Sequence, residues 1–165
     1  MDRAYKFKRE RYDVAVIGGG AAGMMAAGRA AELGASVIVL EKNESLGKKL
    51  LITGGGRCNV TNNTPDVRQF LTKLKSKGKF LFSTFDEHAV TESLEFFHTA
   101  GMETKVENEG RVFPVSNSAR SVWDVLVKYM KKGGVEVASG TAVKGFHICD
   151  GKIVGINVGG SAIKS

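Results

Sequence analysis

Residues 13–17 read Asp-Val-Ala-Val-Ile, a short continuous apolar run that stops at Gly18. Unbroken rather than alternating apolarity suits a parallel strand covered on both faces. Residues 21–33 are rich in Ala, Met and Leu, all good helix formers, and Gly34 stands where a helix C-cap glycine belongs. Residues 36–40, Ser-Val-Ile-Val-Leu, repeat the buried-strand pattern and end at Glu41. The order predicts strand, helix, strand, with a right-handed crossover and parallel strands.

Downstream, residues 43–63 read as loop, with Gly54-Gly55-Gly56 in the middle. Pro65 opens a predicted helix to about Ser76. A second helix is expected over 86–100, with Val90, Leu94, Phe97 and Phe96 towards one side and Gly101 ending it. Residues 102–107 and 111–113 read as a hairpin around Asn108-Glu109-Gly110. Ser118 or Ser121 caps a helix to about Lys132, with Val122, Leu126 and Tyr129 or Met130 inward, and Gly133-Gly134 stops it. Residues 135–138 form a third strand, and 143–149 with 152–158 form a pair around Asp150-Gly151. The expected fold is a doubly wound α/β domain. Its parts are a nucleotide-binding βαβ unit over 13–63, a helical and hairpin insertion over 64–117, and a helix, third strand and partial β-layer over 118–158.

The chain has 165 residues, 42% hydrophobic and 25% charged, an ordinary balance that argues against global disorder. No run approaches the roughly 18–20 apolar residues of a membrane-spanning helix, and no apolar h-region follows the basic start, so neither a membrane protein nor a secreted one is expected. Cys58 and Cys149 make no disulfide framework, which favours a reducing, cytoplasmic setting. The net charge of +7 permits attraction to polynucleotides or phosphorylated ligands. Its clusters, Lys73, Lys75, Lys77 and Lys79, then Lys128, Lys131 and Lys132, read as solvated helix faces or ends. No nucleic-acid-binding motif accompanies them, so a nucleic-acid partner is not expected.

Gly18-Gly19-Gly20-Ala21-Ala22-Gly23 matches G-x-G-x-x-G, between a strand and a helix with a second strand to follow. Each glycine has its own reason. Gly18 allows the sharp turn, Gly20 lets a pyrophosphate approach the backbone, and Gly23 lets the helix pack against the strands. The helix N-terminus offers free N–H groups to the phosphates. Glu41, about 20 residues after Gly18, matches the acidic residue that takes an adenosine ribose and repels a 2′-phosphate. This much does not separate NAD from FAD.

The next segment adds to it. Gly47-Lys48-Lys49 and Thr53-Gly54-Gly55-Gly56-Arg57-Cys58-Asn59 gather backbone amides and cations near the first loop, as an anionic ligand requires. With Val16-Ile17 before the first loop, Val60-Thr61-Asn62 after the second, and Gly110-Arg111-Val112-Phe113-Pro114-Val115-Ser116, these stretches resemble the HI0933-like flavoproteins, also called BaiN-like or aminoacetone-oxidase-like, up to about Val158.

The resemblance implies a Rossmann-type FAD-binding fold of the glutathione-reductase kind and an NAD(P)/FAD-dependent oxidoreductase that moves hydride or electrons through FAD, with NAD(P)H or oxygen as second partner. It implies cofactor-binding roles for Gly18, Gly20, Ala21, Ala22, Gly23 and Glu41. The loop of Gly56, Arg57, Cys58 and Asn59 would approach the pyrophosphate and flavin. Val143 would lie near the adenine through its backbone, and Lys42 and Lys49 are further carry-overs. No residue is assigned a catalytic role. Relatives are more than twice as long, so this chain corresponds to their N-terminal FAD-binding part. The isoalloxazine half of the site and independent turnover are therefore not expected of it; the purified chain should be colourless or weakly yellow. A non-catalytic dinucleotide-binding module is the alternative. Apolar surface on its last parallel strands, left by the truncated sheet, would invite self-association.

Other candidates weigh less. Cys58 lacks a C-x-x-C partner, which favours packing or flavin contact over redox chemistry. His88, His98 and His147 have no metal-ligand spacing, so no metal is assigned; His88 and His98, ten apart, are expected on one side of a helix. Ser116 and Ser121 lack a nucleophile elbow. Phe80, Phe82 and Phe85 are expected in core packing.

Overall fold

A computed structural model describes residues 5–64, 66–72, 74–158 and 161–164. The chain forms two compact units, Met1–Leu50 with Leu126–Ser165, and Leu51–Val125. The boundaries fall inside two helices, so residues 51–63 group with the insertion rather than with the βαβ segment.

In the first unit, strand β1 (Val14–Ile17), helix α1 (Ala21–Glu32) and strand β2 (Val37–Leu40) follow the predicted order. β1 and β2 pair in parallel, Val14 opposite Val37 and Ile17 opposite Leu40. All four β2 residues are buried, as the continuous apolar run requires. The third parallel strand, Glu136–Ala138, lies on the far side of β2, so β2 is central in this sheet.

Between β2 and that strand the chain is more structured than a loop. Residues 43–63 contain helix α2 (Lys48–Ile52), a 3-10 turn over Thr53–Gly56 and strand β3 (Thr61–Asn62). Helix α3 is Val67–Thr72; the expected opener, Pro65, and Lys73 lie outside the described residues. A 3-10 segment over Lys75–Leu81 leads into α4 (Phe82–Glu87), and α5 is Val90–Thr99. The expected helix over 86–100 is therefore broken at its start. His88 is extended and ends α4, and the Ala89 N–H is taken by Glu92 Oε2 at 2.8 Å, which starts α5 afresh. His88 and His98 consequently sit on different elements, and His98 Nε2 meets Thr104 Oγ1 at 2.8 Å.

The hairpin is as predicted. Strands β4 (Thr104–Val106) and β5 (Arg111–Pro114) pair antiparallel, and β3 adds on the other side of β5. Val112, Phe113 and Met102 are buried here with Leu71, Val90 and Phe97. Phe80, in the 3-10 segment, and Phe82, at the start of α4, are exposed, contrary to the packing expected of them; Phe85 stacks on Phe70, centroids 5.2 Å apart.

Helix α6 (Ala119–Lys132) starts at Ser118, whose Oγ accepts the Arg120 N–H at 3.2 Å. Its later turns, in the first unit, bury Leu126 and Met130. There α1 and α6 touch through small residues. A Cβ at Gly28 would lie 2.2 Å from the Tyr129 ring, and one at Gly133 would lie 2.6 Å from Ala31. The Tyr129 hydroxyl donates to Glu32 at 2.8 Å. Strand β6 (Glu136–Ala138) follows, then an antiparallel meander of β7 (Val143–Cys149), β8 (Lys152–Val158) and β9 (Ser161–Lys164). β9 was not expected from the sequence. Ile156 and Val158 join Ile38, Leu40, Ala138 and Tyr12 in one core.

Candidate functional site: the phosphate loop and its carboxylate

The turn from β1 into α1 and the first helical residues carry the three motif glycines, 18, 20 and 23, and the structure sets each in a different environment. Gly18 has φ +98°, a conformation that L side chains rarely adopt. Gly23 is held by packing: a Cβ there would lie 1.9 Å from the Gly18 carbonyl oxygen. Gly20 is different. It caps α1 with φ −76°, open to any residue, and a Cβ there would meet no protein atom within 4 Å. Neither φ nor packing asks for glycine at 20, and the space over it is open.

Gly20, Ala21 and Ala22 are exposed, and the first intrahelical bond runs from Met24 N–H to Gly20 O at 2.9 Å. The N–H groups of Ala21, Ala22 and Gly23 thus precede the helical ladder and present the positive end of the helix dipole. No acidic side chain lies in the first turn of α1 to oppose an anion.

Glu41 sits beside this loop, 7% exposed. Oε2 accepts the Gly19 N–H at 2.7 Å, while Oε1 accepts the Asn43 N–H at 2.8 Å and Asn43 Nδ2 at 2.6 Å. Burial alone would push the carboxyl up, but the N–H bonds from Asn43 and Gly19, with Lys42 nearby, hold it below its ordinary value. It is an anion at neutral pH. The backbone around it is tied as well. Glu41 N–H bonds to Ala138 O at 3.0 Å and Thr141 N–H to Glu41 O at 2.8 Å, which brings the approach to Val143 alongside the carboxylate's own backbone. Val143 is half-buried, and Lys42 and Lys49 are exposed.

Two residues of this arrangement escape the motif. Gly19 is closely packed: a Cβ there would lie 2.1 Å from Leu46 Cδ2, the end of a flexible side chain, and 3.4 Å from Glu41 Cβ, and its carbonyl accepts the Gly47 N–H at 2.8 Å. Asn43 supplies two of the three donors to Glu41. The motif treats position 19 as free, and a single Asn after a strand carries no signal.

In the second unit the Thr53–Asn59 loop turns through Gly54 and Gly55, both left-handed at φ 56° and 66°. Gly56 is left-handed too, and so is Cys58, a non-glycine residue at φ 61° whose N–H bonds to Thr53 O at 3.0 Å. Cys58 is buried. Asn59 Oδ1 accepts the Val112 N–H at 3.2 Å. Arg57 spreads over Phe113 at 4.0 Å and pairs with Glu107, Nη2 to Oε2 at 2.5 Å.

A family profile, HI0933-like protein Rossmann domain, matches residues 12–165. The chain belongs to the HI0933-like family. This is a family of FAD-dependent oxidoreductases, and the domain is its FAD-binding Rossmann fold. Among curated relatives, a 3-dehydro-bile acid delta(4,6)-reductase of Clostridium scindens is 35% identical over 82% of this chain and 32% of its own length. A ribosomal RNA dihydrouridine synthase of Escherichia coli is 30% identical over 76% of this chain and 30% of its own. The chain therefore spans about a third of the curated relatives it matches. Among solved structures, a 3-ketosteroid-delta4-(5alpha)-dehydrogenase from Rhodococcus jostii RHA1 shares the fold, with TM-score 0.73, 19% identity, and coverage of 98% of this chain and 44% of that one. The HI0933-like chain's own residues fit the cofactor's adenylate half: an uncrowded Gly20, open amides at α1 and an ionised Glu41 suit a diphosphate joined to a ribose. Among the described residues no helix is long and apolar enough to cross a membrane, and no group of His, Cys, Asp and Glu could hold a metal.

Proposed function

We propose that this chain binds the ADP moiety of FAD and that the whole protein transfers hydride or electrons through it. The observation that carries the reading is Gly20, whose missing Cβ nothing in the protein explains. The pyrophosphate lies against the N–H groups at the start of α1, with Gly18, Gly20, Ala21, Ala22 and Gly23 around it. Glu41 takes the adenosine ribose with its remaining acceptor site and disfavours a 2′-phosphate. Val143 lines the adenine through its backbone. Gly56, Arg57, Cys58 and Asn59 belong to the cofactor-binding set by the family resemblance, as do Lys42 and Lys49.

When bound, FAD supplies the hydride chemistry; the residues named here bind and orient it. A reductase of a dehydro-bile acid and a dihydrouridine synthase are both relatives, which supports hydride delivery to an unsaturated organic substrate, with NAD(P)H as a second cofactor in the whole protein. We place the protein in the cytoplasm, in keeping with two free cysteines. Self-association through the β7–β8 layer belongs to the proposal, because Phe146, Ile148, Ile153 and Val154 are exposed there; sedimentation of the chain against its concentration reads it.

The test of the binding reading is a titration with FAD, ADP-ribose and FMN. FAD and ADP-ribose should bind and compete, and FMN should not. Binding of FMN as tight as that of FAD, or indifference to ADP-ribose, overturns the assignment.

A further inference from the structure

The Thr53–Asn59 loop has left-handed residues at Gly54, Gly55, Gly56 and Cys58. Within the loop, Arg57 N–H bonds to Gly54 O at 3.4 Å and Cys58 N–H to Thr53 O at 3.0 Å. Its shape is held from outside, by the β4–β5 hairpin. Asn59 Oδ1 takes the Val112 N–H, the Val60 N–H bonds to Val112 O at 2.8 Å, and a Cβ at Gly54 would lie 3.2 Å from the Phe113 ring.

The fourth tie is Arg57. Its guanidinium meets Glu107 as a fork, Nη2 to Oε2 at 2.5 Å and Nη1 to Oε1 at 3.3 Å, while lying 4.0 Å above the Phe113 ring. Lys105 Nζ adds to Glu107 Oε1 at 3.3 Å. The Arg57 and Glu107 side chains are only 35% and 28% exposed. Planar stacking and a two-point carboxylate contact together use the properties that distinguish arginine from lysine. Glu107 neutralises the guanidinium's charge, and the fork and the stack together fix its plane against the hairpin, so little net attraction is left for a phosphate.

We propose that Arg57 is a positioning residue, which clamps the Thr53–Asn59 loop to the hairpin through Glu107 and Phe113, and that it is not a ligand of the cofactor's phosphates. The inference rests on the reading that this loop belongs to the cofactor-binding set, and it reassigns the loop's most obvious cation. Anion contact from the loop then falls to its main chain.

Two substitutions in the 165-residue chain separate the alternatives. Glu107→Gln removes a negative charge and frees Arg57. On charge alone it should favour a diphosphate; if Arg57 is a clamp, it weakens FAD instead. The expected result is FAD affinity lower by about tenfold, with amide hydrogen exchange at Gly55–Cys58 faster by a similar factor. Arg57→Lys keeps the charge and loses the fork and stack, so it should behave alike. Exchange at the β5 amides reports that the unit stays folded. Unchanged or tighter FAD binding in Glu107→Gln, or full affinity in Arg57→Lys, overturns the proposal. So does exchange at the loop that neither substitution moves. If the unsubstituted chain takes up no FAD, the dinucleotide reading fails, and the exchange measurement alone still decides the clamp.

Discussion

The Glu41 carboxylate accepts the Gly19 N–H at 2.7 Å, so the group assigned to the ribose is also a strut of the phosphate loop. A carboxylate offers about four acceptor positions. Gly19 and the two Asn43 donors fill all but one, which lies on Oε2. Ribose binding and loop geometry are therefore joined in one side chain.

Glu41→Gln should damage both. The amide places a donor where the carboxylate accepts, against either Gly19 or Asn43. Losing charge-assisted bonds in a buried site costs roughly 1.5–3 kcal/mol. Isothermal titration should show FAD affinity at least about tenfold weaker, and denaturant unfolding a lower midpoint. Affinity and midpoint both equal to the parent's would remove Glu41 from the site.

The same carboxyl sets a pH dependence. Its folded-state pKa lies below the ordinary value, so the folded state binds this proton less readily than the unfolded one. Its contribution to stability is complete above the ordinary carboxylate range and is lost as pH falls through the depressed value. Thermal midpoints should decline on acidification below about pH 4.5, less steeply in Glu41→Gln. Parallel slopes in the two proteins contradict this.

Gly23 and Gly28 look alike in sequence, as glycines on one helix, but differ in what crowds them. Gly23→Ala drives a methyl into the Gly18 carbonyl, a backbone atom that cannot rotate away. Gly28→Ala meets the Tyr129 ring, a side chain that also holds Glu32. Overpacking of this kind costs about 1–3 kcal/mol. Both variants should lower the unfolding midpoint, but only Gly23→Ala should also weaken FAD, because only Gly23 lies in the loop. FAD affinity lowered equally in both would deny that separation.

At the other end of the parallel strands, Tyr12 donates to Glu136 Oε2 at 2.5 Å, and Lys8 N–H bonds to the same carboxylate at 3.0 Å. Tyr5 OH reaches Val137 O at 3.0 Å, so residues 5–12 are tied along β6. Burial first, then the Glu136 bond, push the Tyr12 phenol up to about 12. A raised pKa means stability that is whole below pH about 10 and lost as pH rises towards 12. Tyr12→Phe should unfold about 1.5–3 kcal/mol more easily at neutral pH and lose this alkaline slope. Retention of the slope would assign it to another group.

How much of this is legible without coordinates depends on the kind of signal. The βαβ unit reads directly, because Val14–Ile17 and Val37–Leu40 are continuous apolar runs and Gly34 stops the helix between them. The β4–β5 hairpin reads equally well, since Asn108-Glu109-Gly110 is a local turn signal. Misreadings begin where tertiary contacts decide. The helix over 86–100 breaks at His88 because Glu92 caps Ala89, a competition that periodicity cannot see. Phe80 and Phe82 read as core, yet both are exposed, Phe80 in a 3-10 segment and Phe82 where α4 begins. In the site, Gly18, Gly20, Gly23 and Glu41 are marked by spacing. Gly19, Asn43 and the engagement of Arg57 by Glu107 are not, because each depends on a partner distant in sequence or on a neighbour with no pattern.

The most direct measurement is FAD affinity of Gly20→Val beside its thermal midpoint. With φ −76° and no protein atom within 4 Å of a Cβ, valine at 20 should leave the fold within about 1 kcal/mol of the parent. It should place its methyl groups where the diphosphate lies and reduce FAD binding at least about a hundredfold. A stable Gly20→Val protein that binds FAD as the parent does would contradict the account at its centre.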